Sequence, residues 1–172
     1  MKSVLYPGSF DPFTDGHLDL ALRAGNLFDR VVIGVGTNSN KRPLFTPAER
    51  KALIEKTFAD RLLLKKGRFE VEIIDGLMVN ALCSLGVDAV LRGLRAFSDF
   101  EYEVQMAEMN RDLAFSYETI FMLPQLDLSF VSSSAVKELA SHGGDVTPYV
   151  PIHVAEAMKR KYEQLKTGIV PC

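Results

Sequence analysis

The chain has 172 residues, of which 47 % are hydrophobic and 24 % are charged, and its formal net charge is −2. A domain averages roughly 150 residues, so we expect a single globular domain over residues 1–172. With 12 Gly and 8 Pro, the composition excludes collagen-like and low-complexity chains. The absence of a basic excess argues against unselective binding of nucleic acid.

Cysteine usage and hydropathy favour a protein of a reducing compartment. The two cysteines, Cys83 and Cys172, form neither a disulfide framework nor a zinc-binding pattern. The N-terminal segment lacks the apolar core of a secretory signal, and no apolar run approaches the ~18–20 residues that span a bilayer. We therefore expect a cytoplasmic protein that is not embedded in a membrane.

Short β-branched runs alternate with amphipathic stretches of helical length. In chain order, the pattern predicts a strand at 2–6, a helix at 17–28, a strand at 31–36, a helix at 47–58, a strand at 69–74, a helix at 77–85, a strand at 88–91, a helix at 99–113, a strand at 118–123, and helices from about 132 and 151. Such alternation indicates an α/β fold, in which helices cover both faces of a five-stranded parallel sheet.

Ligands of parallel sheets bind beyond the carboxyl ends of the strands, so the segments after each predicted strand are the candidate site. After the first strand, Gly8 and Gly16 permit close backbone approach, and His17 stands at the start of a helix. Free amide N–H groups at a helix start favour phosphate, and the helix dipole disfavours a cationic imidazole there. A histidine that merely begins a helix remains the alternative.

The segment after the second strand carries the cationic pair Lys41 and Arg42. Although Gly34 and Gly36 suggest a dinucleotide fingerprint, Ser39 stands where its third glycine is needed, so we reject that motif. A solvated pair of charges remains the alternative to a ligand-binding role for the two cations.

The last two strand ends also carry phosphate-binding chemistry. Arg92 and Arg95 straddle Gly93, and arginine suits bidentate recognition of phosphate. Serines of the segment 129–134 stand at a helix start, where they either cap the helix or add donors around an anion. Glu103 lies on the helix after the arginines and faces either ligand or solvent. No GxxxxGK[ST] loop occurs, so the pattern predicts a nucleotide-phosphate site without a Walker motif.

Two signatures of the nucleotidyltransferase superfamily have counterparts here. The signature (S/T)-F-D-P-x-T-x-G-H resembles residues 9–17 (SFDPFTDGH), and I-S-S-T-x-x-R resembles residues 131–137 (VSSSAVK). The runs RGLRA at 92–96 and DFEYE at 99–103 narrow the resemblance to bacterial phosphopantetheine adenylyltransferases. KRP at 41–43, Phe45-Thr46 and LMVN at 77–80 fit the same family. The resemblance extends from about residue 2 to about residue 160.

The resemblance implies a Rossmann-like sheet, a homohexamer and one reaction. In that reaction, ATP and 4′-phosphopantetheine give 3′-dephospho-coenzyme A and pyrophosphate with Mg²⁺ as the cofactor. The substrate phosphate attacks the α-phosphate of ATP directly, in a step of coenzyme A synthesis. Another superfamily member, such as a nicotinamide mononucleotide adenylyltransferase or a cytidylyltransferase, is the nearest alternative, and a nucleotide-binding regulatory module without turnover is a more distant one.

The resemblance also implies the site residues, position by position. His17 is the expected catalytic residue. The expected ATP-binding residues are Ser9, Phe10, His17, Gly93, Leu94, Arg95, Glu103, Leu128, Ser129, Phe130, Val131, Ser132, Ser133 and Ser134. The expected phosphopantetheine-binding residues are Ser9, Lys41, Met78 and Arg92. No protein ligand of a metal is implied.

Three positions depart from the common pattern. Ser9 replaces a threonine and keeps its hydroxyl, whereas Leu128 replaces a tryptophan that many members carry beside the nucleotide. Lys137 occupies an arginine position of the superfamily, so we leave it outside the site. The tail 166–172 lies beyond the resemblance, and the sequence assigns it no role.

Overall fold

A computed structural model of the chain describes residues 1–37, 43–60, 68–95, 97–113 and 117–167, with the backbone alone at 97, 98 and 167. In chain order, its elements are β1 (Ser3–Gly8), α1 (Asp15–Ala24), β2 (Arg30–Gly36), α2 (Pro47–Asp60), β3 (Phe69–Ile74), α3 (Met78–Leu85), β4 (Ala89–Gly93), α4 (Phe97–Leu113), β5 (Glu118–Met122), a short 3-10 helix (Leu126–Leu128), α5 (Ser133–Ser141) and α6 (Ile152–Thr167).

The five strands form one parallel sheet in the order β3-β2-β1-β4-β5. Alternate side chains of β1 enter different cores, because successive residues of a strand point to opposite faces. Val4 and Tyr6 pack on the face covered by α1 and α2, whereas Leu5 packs on the face covered by α3. Both faces are therefore covered by helices, and the predicted Rossmann-like α/β fold is confirmed.

A third hydrophobic cluster lies where α5 and α6 pack against the segment before α2. Phe45, Val136 of α5 and Met158 of α6 are buried members of this cluster. This cluster places the start of α5 beside the segment that follows β1. Among the described residues, no helix combines the length and apolar character that crossing a bilayer requires.

Several predicted bounds were wrong by two residues or more. β1 and β4 each run two residues further than predicted, because parallel pairing continues through Gly8 opposite Val35 and through Gly93 opposite Met122. Pro7, Arg92 and Gly93 are thus strand residues. The first helix begins at Asp15 and ends at Ala24, since Thr14 caps its start. The 3-10 helix was not predicted.

Candidate active site

A cavity lies between the carboxyl ends of β1 and β4 and the N-terminal ends of α1 and α5. Its volume is about 490 Å³, and we call it the His17 cavity. Its wall brings together eleven residues that the sequence analysis proposed: Ser9, Phe10, His17, Arg92, Gly93, Arg95, Leu128, Val131, Ser132, Ser133 and Ser134.

A second cavity of about 540 Å³ lies beside the first, at the carboxyl ends of β2 and β3. We call it the Met78 cavity, because Met78 at the start of α3 lines it together with Gly36, Thr37 and Asp75. Thr37 donates a hydrogen bond from its hydroxyl to the Asp75 carboxylate. The sequence analysis did not propose Thr37 or Asp75, although both directly follow predicted strands, and this position was the available signal.

The two cavities share a wall. Pro7, Gly8, Ser9 and Arg92 line both of them. Two ligands that fill the cavities therefore meet at the end of β1, beside one hydroxyl and one guanidinium.

The turn after β1 depends on an unusual backbone at Phe10, whose φ is 47°. This left-handed conformation is uncommon for a bulky residue and persists where the surroundings hold it. The Phe10 ring is 2 % exposed and packs edge-on against Tyr6 and His17, with ring centroids 5.3 and 5.1 Å apart. A Cβ at Gly8 would lie 2.7 Å from the ring, so glycine is needed there.

His17 is the third residue of α1 and forms a reciprocal cap with Thr14. The Thr14 backbone N–H donates to His17 Nδ1 at 3.0 Å. In the neutral ring the proton therefore resides on Nε2, which serves as a donor. Burial lowers the pKa of His17 to about 4, with a smaller contribution from the positive charge of Arg95. His17 is a neutral hydrogen-bond donor at physiological pH, and burial is the leading cause where we had expected the helix dipole.

Arg92 and Glu103 form an ion pair at the shared wall. Arg92 Nε and Nη2 each lie 2.6 Å from a carboxylate oxygen of Glu103, and Nη1 donates to the carbonyl of Pro7 at 3.1 Å. Glu103 does not line the His17 cavity; it borders a recess of about 80 Å³ together with Met78 and Arg92. Glu103 thus lies beside Met78 and Arg92, and the ATP contact that the resemblance implies stays a prediction.

Arg95 and the serines of α5 complete the polar wall of the His17 cavity. Arg95 Nε lies 3.4 Å from the Asp99 carboxylate, and its side chain is partly exposed. Ser132 caps α5 by accepting from the N–H of Ala135 at 3.1 Å, whereas the Ser133 hydroxyl donates to the carbonyl of Pro12 at 2.8 Å. This end of α5 supplies backbone N–H groups and a positive dipole end to the cavity.

Three further residues that the resemblance assigns to ATP binding do not line the His17 cavity. Ser129 donates its hydroxyl to the carbonyl of Leu126 at 2.8 Å, and Phe130 is 67 % exposed with its ring edge-on to Tyr149. Neither residue lines the His17 cavity, and Leu94 does not line it either. Lys41, a proposed phosphopantetheine ligand, lies outside the described residues.

Sequence reasoning missed the charged groups that hold the β1 turn. Asp11, which is 6 % exposed, accepts hydrogen bonds from the N–H groups of Leu44 and Phe45 and pairs with Lys137 at 2.7 Å. The ammonium of Lys137 thus neutralises a buried carboxylate. The position of Lys137, three residues after the serine run, suggested a phosphate contact and did not indicate the pairing with Asp11.

Comparisons with known proteins concern the family and the fold of the chain. A family model described as Cytidylyltransferase-like matches residues 5–139. The phosphopantetheine adenylyltransferase of Anaeromyxobacter sp. (strain K) is 48 % identical over 160 residues, which cover 93 % of this chain and 94 % of that protein. The chain belongs to the phosphopantetheine adenylyltransferase family. Another member, from Alkaliphilus metalliredigens (strain QYMF), is 45 % identical over 94 % of this chain and 99 % of its own length.

Solved structures show that the phosphopantetheine adenylyltransferase family shares its fold with other nucleotidyltransferases. A putative nicotinate-nucleotide adenylyltransferase from Vibrio parahaemolyticus matches 95 % of this chain and 97 % of its own, with a TM-score of 0.69 and 16 % identity. The nicotinic acid mononucleotide adenylyltransferase of Plasmodium falciparum, complexed with NaAD, matches with a TM-score of 0.58 and 15 % identity over 98 % and 97 % of the two chains. These likenesses concern the fold alone.

Proposed function

We propose that this chain transfers the adenylyl group of ATP to 4′-phosphopantetheine, giving 3′-dephospho-coenzyme A and pyrophosphate. The observation that carries the proposal is the wall of Pro7, Gly8, Ser9 and Arg92 that the two cavities share. A group-transfer enzyme brings two substrates into contact, and here two cavities of substrate size meet at one hydroxyl and one guanidinium.

The chemistry of the walls supports the assignment of the substrates. The His17 cavity offers the start of α5, Arg95 and His17, which suit the polyphosphate of ATP. The Met78 cavity combines apolar Met78 and Leu77 with polar Thr37 and Asp75, a mixture that suits the amide-containing arm of phosphopantetheine. Its phosphate end then lies at Arg92. Lys41 remains a proposed ligand of the same phosphate.

The transfer requires positioning and charge stabilisation more than proton transfer. The nucleophile is an oxygen of a phosphate monoester, which is anionic near neutral pH, so no general base is needed. We assign His17 Nε2–H as the donor to the oxygens of the α-phosphoryl group, on which charge accumulates in the transition state. Arg92 and Arg95 offset the repulsion between the two anionic substrates.

Magnesium, the implied cofactor, is not matched by a protein site. No carboxylate occurs among the described residues that line the His17 cavity. In the described part of the chain, no three His, Cys, Asp or Glu side chains form a group that could hold a metal ion. These residues do not fit a protein-held ion, so we propose that magnesium enters as the complex of ATP, as part of that substrate.

We also propose that the chain assembles as a homohexamer. Tyr102, Met109 and Leu113 of α4 are exposed large apolar side chains, and their spacing places them along one side of the helix. Exposed apolar patches mark interaction surfaces. Light scattering after gel filtration tests the proposal. A particle of about six times the 19.1 kDa chain mass supports it, and a monomer contradicts it.

Pyrophosphate release from ATP tests the proposed function. We expect release with 4′-phosphopantetheine and none with nicotinamide mononucleotide, glycerol 3-phosphate or unphosphorylated pantetheine. Nicotinamide mononucleotide and glycerol 3-phosphate carry a phosphate but lack the pantetheine chain. Unphosphorylated pantetheine has that chain and lacks the phosphate. Comparable turnover with any of these three would overturn the assignment.

A further inference from the structure

Arg50 on α2 is a buried arginine, with 3 % of its surface exposed. Its guanidinium donates to backbone carbonyls of three separate segments. Nε donates to Phe45 at 3.1 Å, and Nη1 donates both to Gly36 at 2.9 Å and to Ser9. One side chain thus ties the turn after β1, the end of β2 and the segment before α2 to each other.

The tied segments form walls of the candidate site. Ser9 and Gly36 both line the Met78 cavity, and Ser9 also lines the His17 cavity. Arg50 itself lines neither of them. Arg50 therefore has no direct contact with the space of either cavity. It can affect a bound substrate only through the backbone segments to which it donates hydrogen bonds.

The charge of Arg50 is not neutralised by a direct partner. Among the described residues, no carboxylate lies within ion-pair distance of its guanidinium; Asp11, the nearest candidate, pairs with Lys137 at 2.7 Å. Burial of an unpaired charge is costly, and carbonyl oxygens compensate for it only where the geometry is good. An apolar residue would fill the same space without that cost. Unlike an apolar residue, the arginine provides a planar guanidinium whose N–H groups donate hydrogen bonds in fixed directions.

The turn that Arg50 holds includes the left-handed Phe10. The Ser9 carbonyl, which Arg50 binds, directly precedes Phe10, and the Asp11 carboxylate directly follows it. A residue in this conformation keeps it only while both sides are fixed. Release of the Ser9 carbonyl frees one side of the turn next to the shared wall.

We propose that Arg50 is a positioning residue for adenylyl transfer: it holds the Ser9 turn against the end of β2 and thereby fixes the gap in which the two substrates meet. The role in the reaction rests on the proposed function. A misplacement of about 1 Å in such a gap lowers the rate by roughly 100-fold. The loss of the fork thus affects turnover even when the protein remains folded.

Arg50→Lys tests the proposal, with Arg30→Lys as the matched control. Lysine keeps the charge but lacks the planar fork that reaches three carbonyls. Like Arg50, Arg30 donates to a backbone carbonyl, that of Leu85 at 2.8 Å; unlike Arg50, it pairs with a carboxylate, Glu70, and it lies at the opposite end of β2. We expect kcat/KM for 4′-phosphopantetheine to fall about 10- to 100-fold in Arg50→Lys. Arg30→Lys stays within about twofold of wild type, since it lies far from the shared wall.

Amide hydrogen exchange provides a readout that needs no substrate. We expect the amides of residues 8–13 to exchange at least about tenfold faster in Arg50→Lys, while Arg30→Lys leaves them unchanged. If Arg50→Lys does not fold at 25 °C, Arg50→Gln replaces it. Both Arg50→Gln and wild type are then measured in trimethylamine N-oxide, because this osmolyte favours the folded state.

The outcomes are separable. Faster exchange of residues 8–13 together with the loss of kcat/KM in a folded Arg50 variant supports the proposal. Kinetic constants within about twofold of wild type, or unchanged exchange in these residues, overturn it and leave Arg50 as a stabilising residue only. If wild type itself does not use 4′-phosphopantetheine, the proposed function fails, and hydrogen exchange alone then decides whether Arg50 holds the turn.

Discussion

Both oxygens of the Glu103 carboxylate hold the guanidinium of Arg92, each at 2.6 Å. With Nη1 on the carbonyl of Pro7, three N–H groups of Arg92 are engaged and its plane is fixed at the wall between the two cavities. The remaining N–H groups are then preorganised for an incoming phosphate. In the proposed function, Glu103 thus acts on the substrate phosphate through Arg92.

The first prediction follows from this pair. Glu103→Gln should raise the KM for 4′-phosphopantetheine about tenfold, because a hydrogen bond to a charged group contributes about 1.5 kcal/mol. The KM for ATP should stay within about twofold. Steady-state kinetics with each substrate varied in turn provide the measurement, and Glu118→Gln, which breaks an exposed pair with Arg111, is the control. A larger effect on ATP would make Glu103 a nucleotide contact, as the resemblance implies.

His17 carries the second prediction. In the proposed function its neutral Nε2–H stabilises charge that develops only in the transition state, so His17→Ala should lower kcat by roughly 10²–10³-fold with little change in ATP affinity. His17→Gln, which retains a donor, should keep more activity than His17→Ala. Single-turnover rates and calorimetric titration of ATP separate the two effects. His142→Ala is the control, since His142 is exposed beyond the end of α5. A rate for His17→Ala above about a tenth of wild type would reduce His17 to a capping residue.

A third prediction concerns the pH dependence of stability. The pKa of His17 is about 4 in the folded protein and about 6.5 in the unfolded chain. Between these values the unfolded chain binds more protons, so the contribution of His17 to stability is complete above about pH 6.5 and declines as the pH falls towards 4. As the pH is lowered from 7 to 4, the urea midpoint should therefore fall more steeply for wild type than for His17→Gln. Parallel curves for the two proteins would show that the pKa of His17 is not lowered.

The sequence predicted the sheet well because each strand is a short apolar run between turn signals. It predicted much of the wall of the His17 cavity because residue types that suit phosphate follow strands or begin helices there. The length of β4 was missed, since Arg92 and Gly93 resemble a loop in composition and only pairing with β5 makes them strand residues.

The sequence could not show which charged side chains form ion pairs with residues elsewhere in the chain. Nothing local to Glu103 shows that its carboxylate meets Arg92. Likewise, Asp11 and Lys137 are 126 residues apart, and their pairing depends on how α5 packs beside the β1 turn. The resemblance implies roles for single residues, and these roles stay predictions; it does not imply the contacts between them.

Lys137 gives the fourth prediction. Its ammonium neutralises buried Asp11, so Lys137→Met should lower the free energy of unfolding by about 2–3 kcal/mol, somewhat below the cost of breaking a fully buried pair. The KM for ATP should not change, since Lys137 lines neither cavity. Denaturant unfolding and ATP kinetics provide the two measurements.

Lys161→Met is the matched control for Lys137→Met. Lys161 is as exposed as Lys137, but its partner Glu49 is far more exposed than Asp11. This variant should lose at most about 1 kcal/mol. Equal losses in the two variants, or a raised KM for ATP in Lys137→Met alone, would contradict the structural role of Lys137.

The central claim is that the phosphate of phosphopantetheine attacks the α-phosphorus of ATP directly, across the wall that the two cavities share. The configuration at that phosphorus tests this claim most directly, using a single diastereomer of adenosine 5′-O-(1-thiotriphosphate) with 4′-phosphopantetheine. One displacement inverts the configuration, whereas an intermediate adenylylated on His17 would require two displacements and retain it. Direct transfer predicts inversion in the thio-substituted dephospho-coenzyme A. Retention would contradict it.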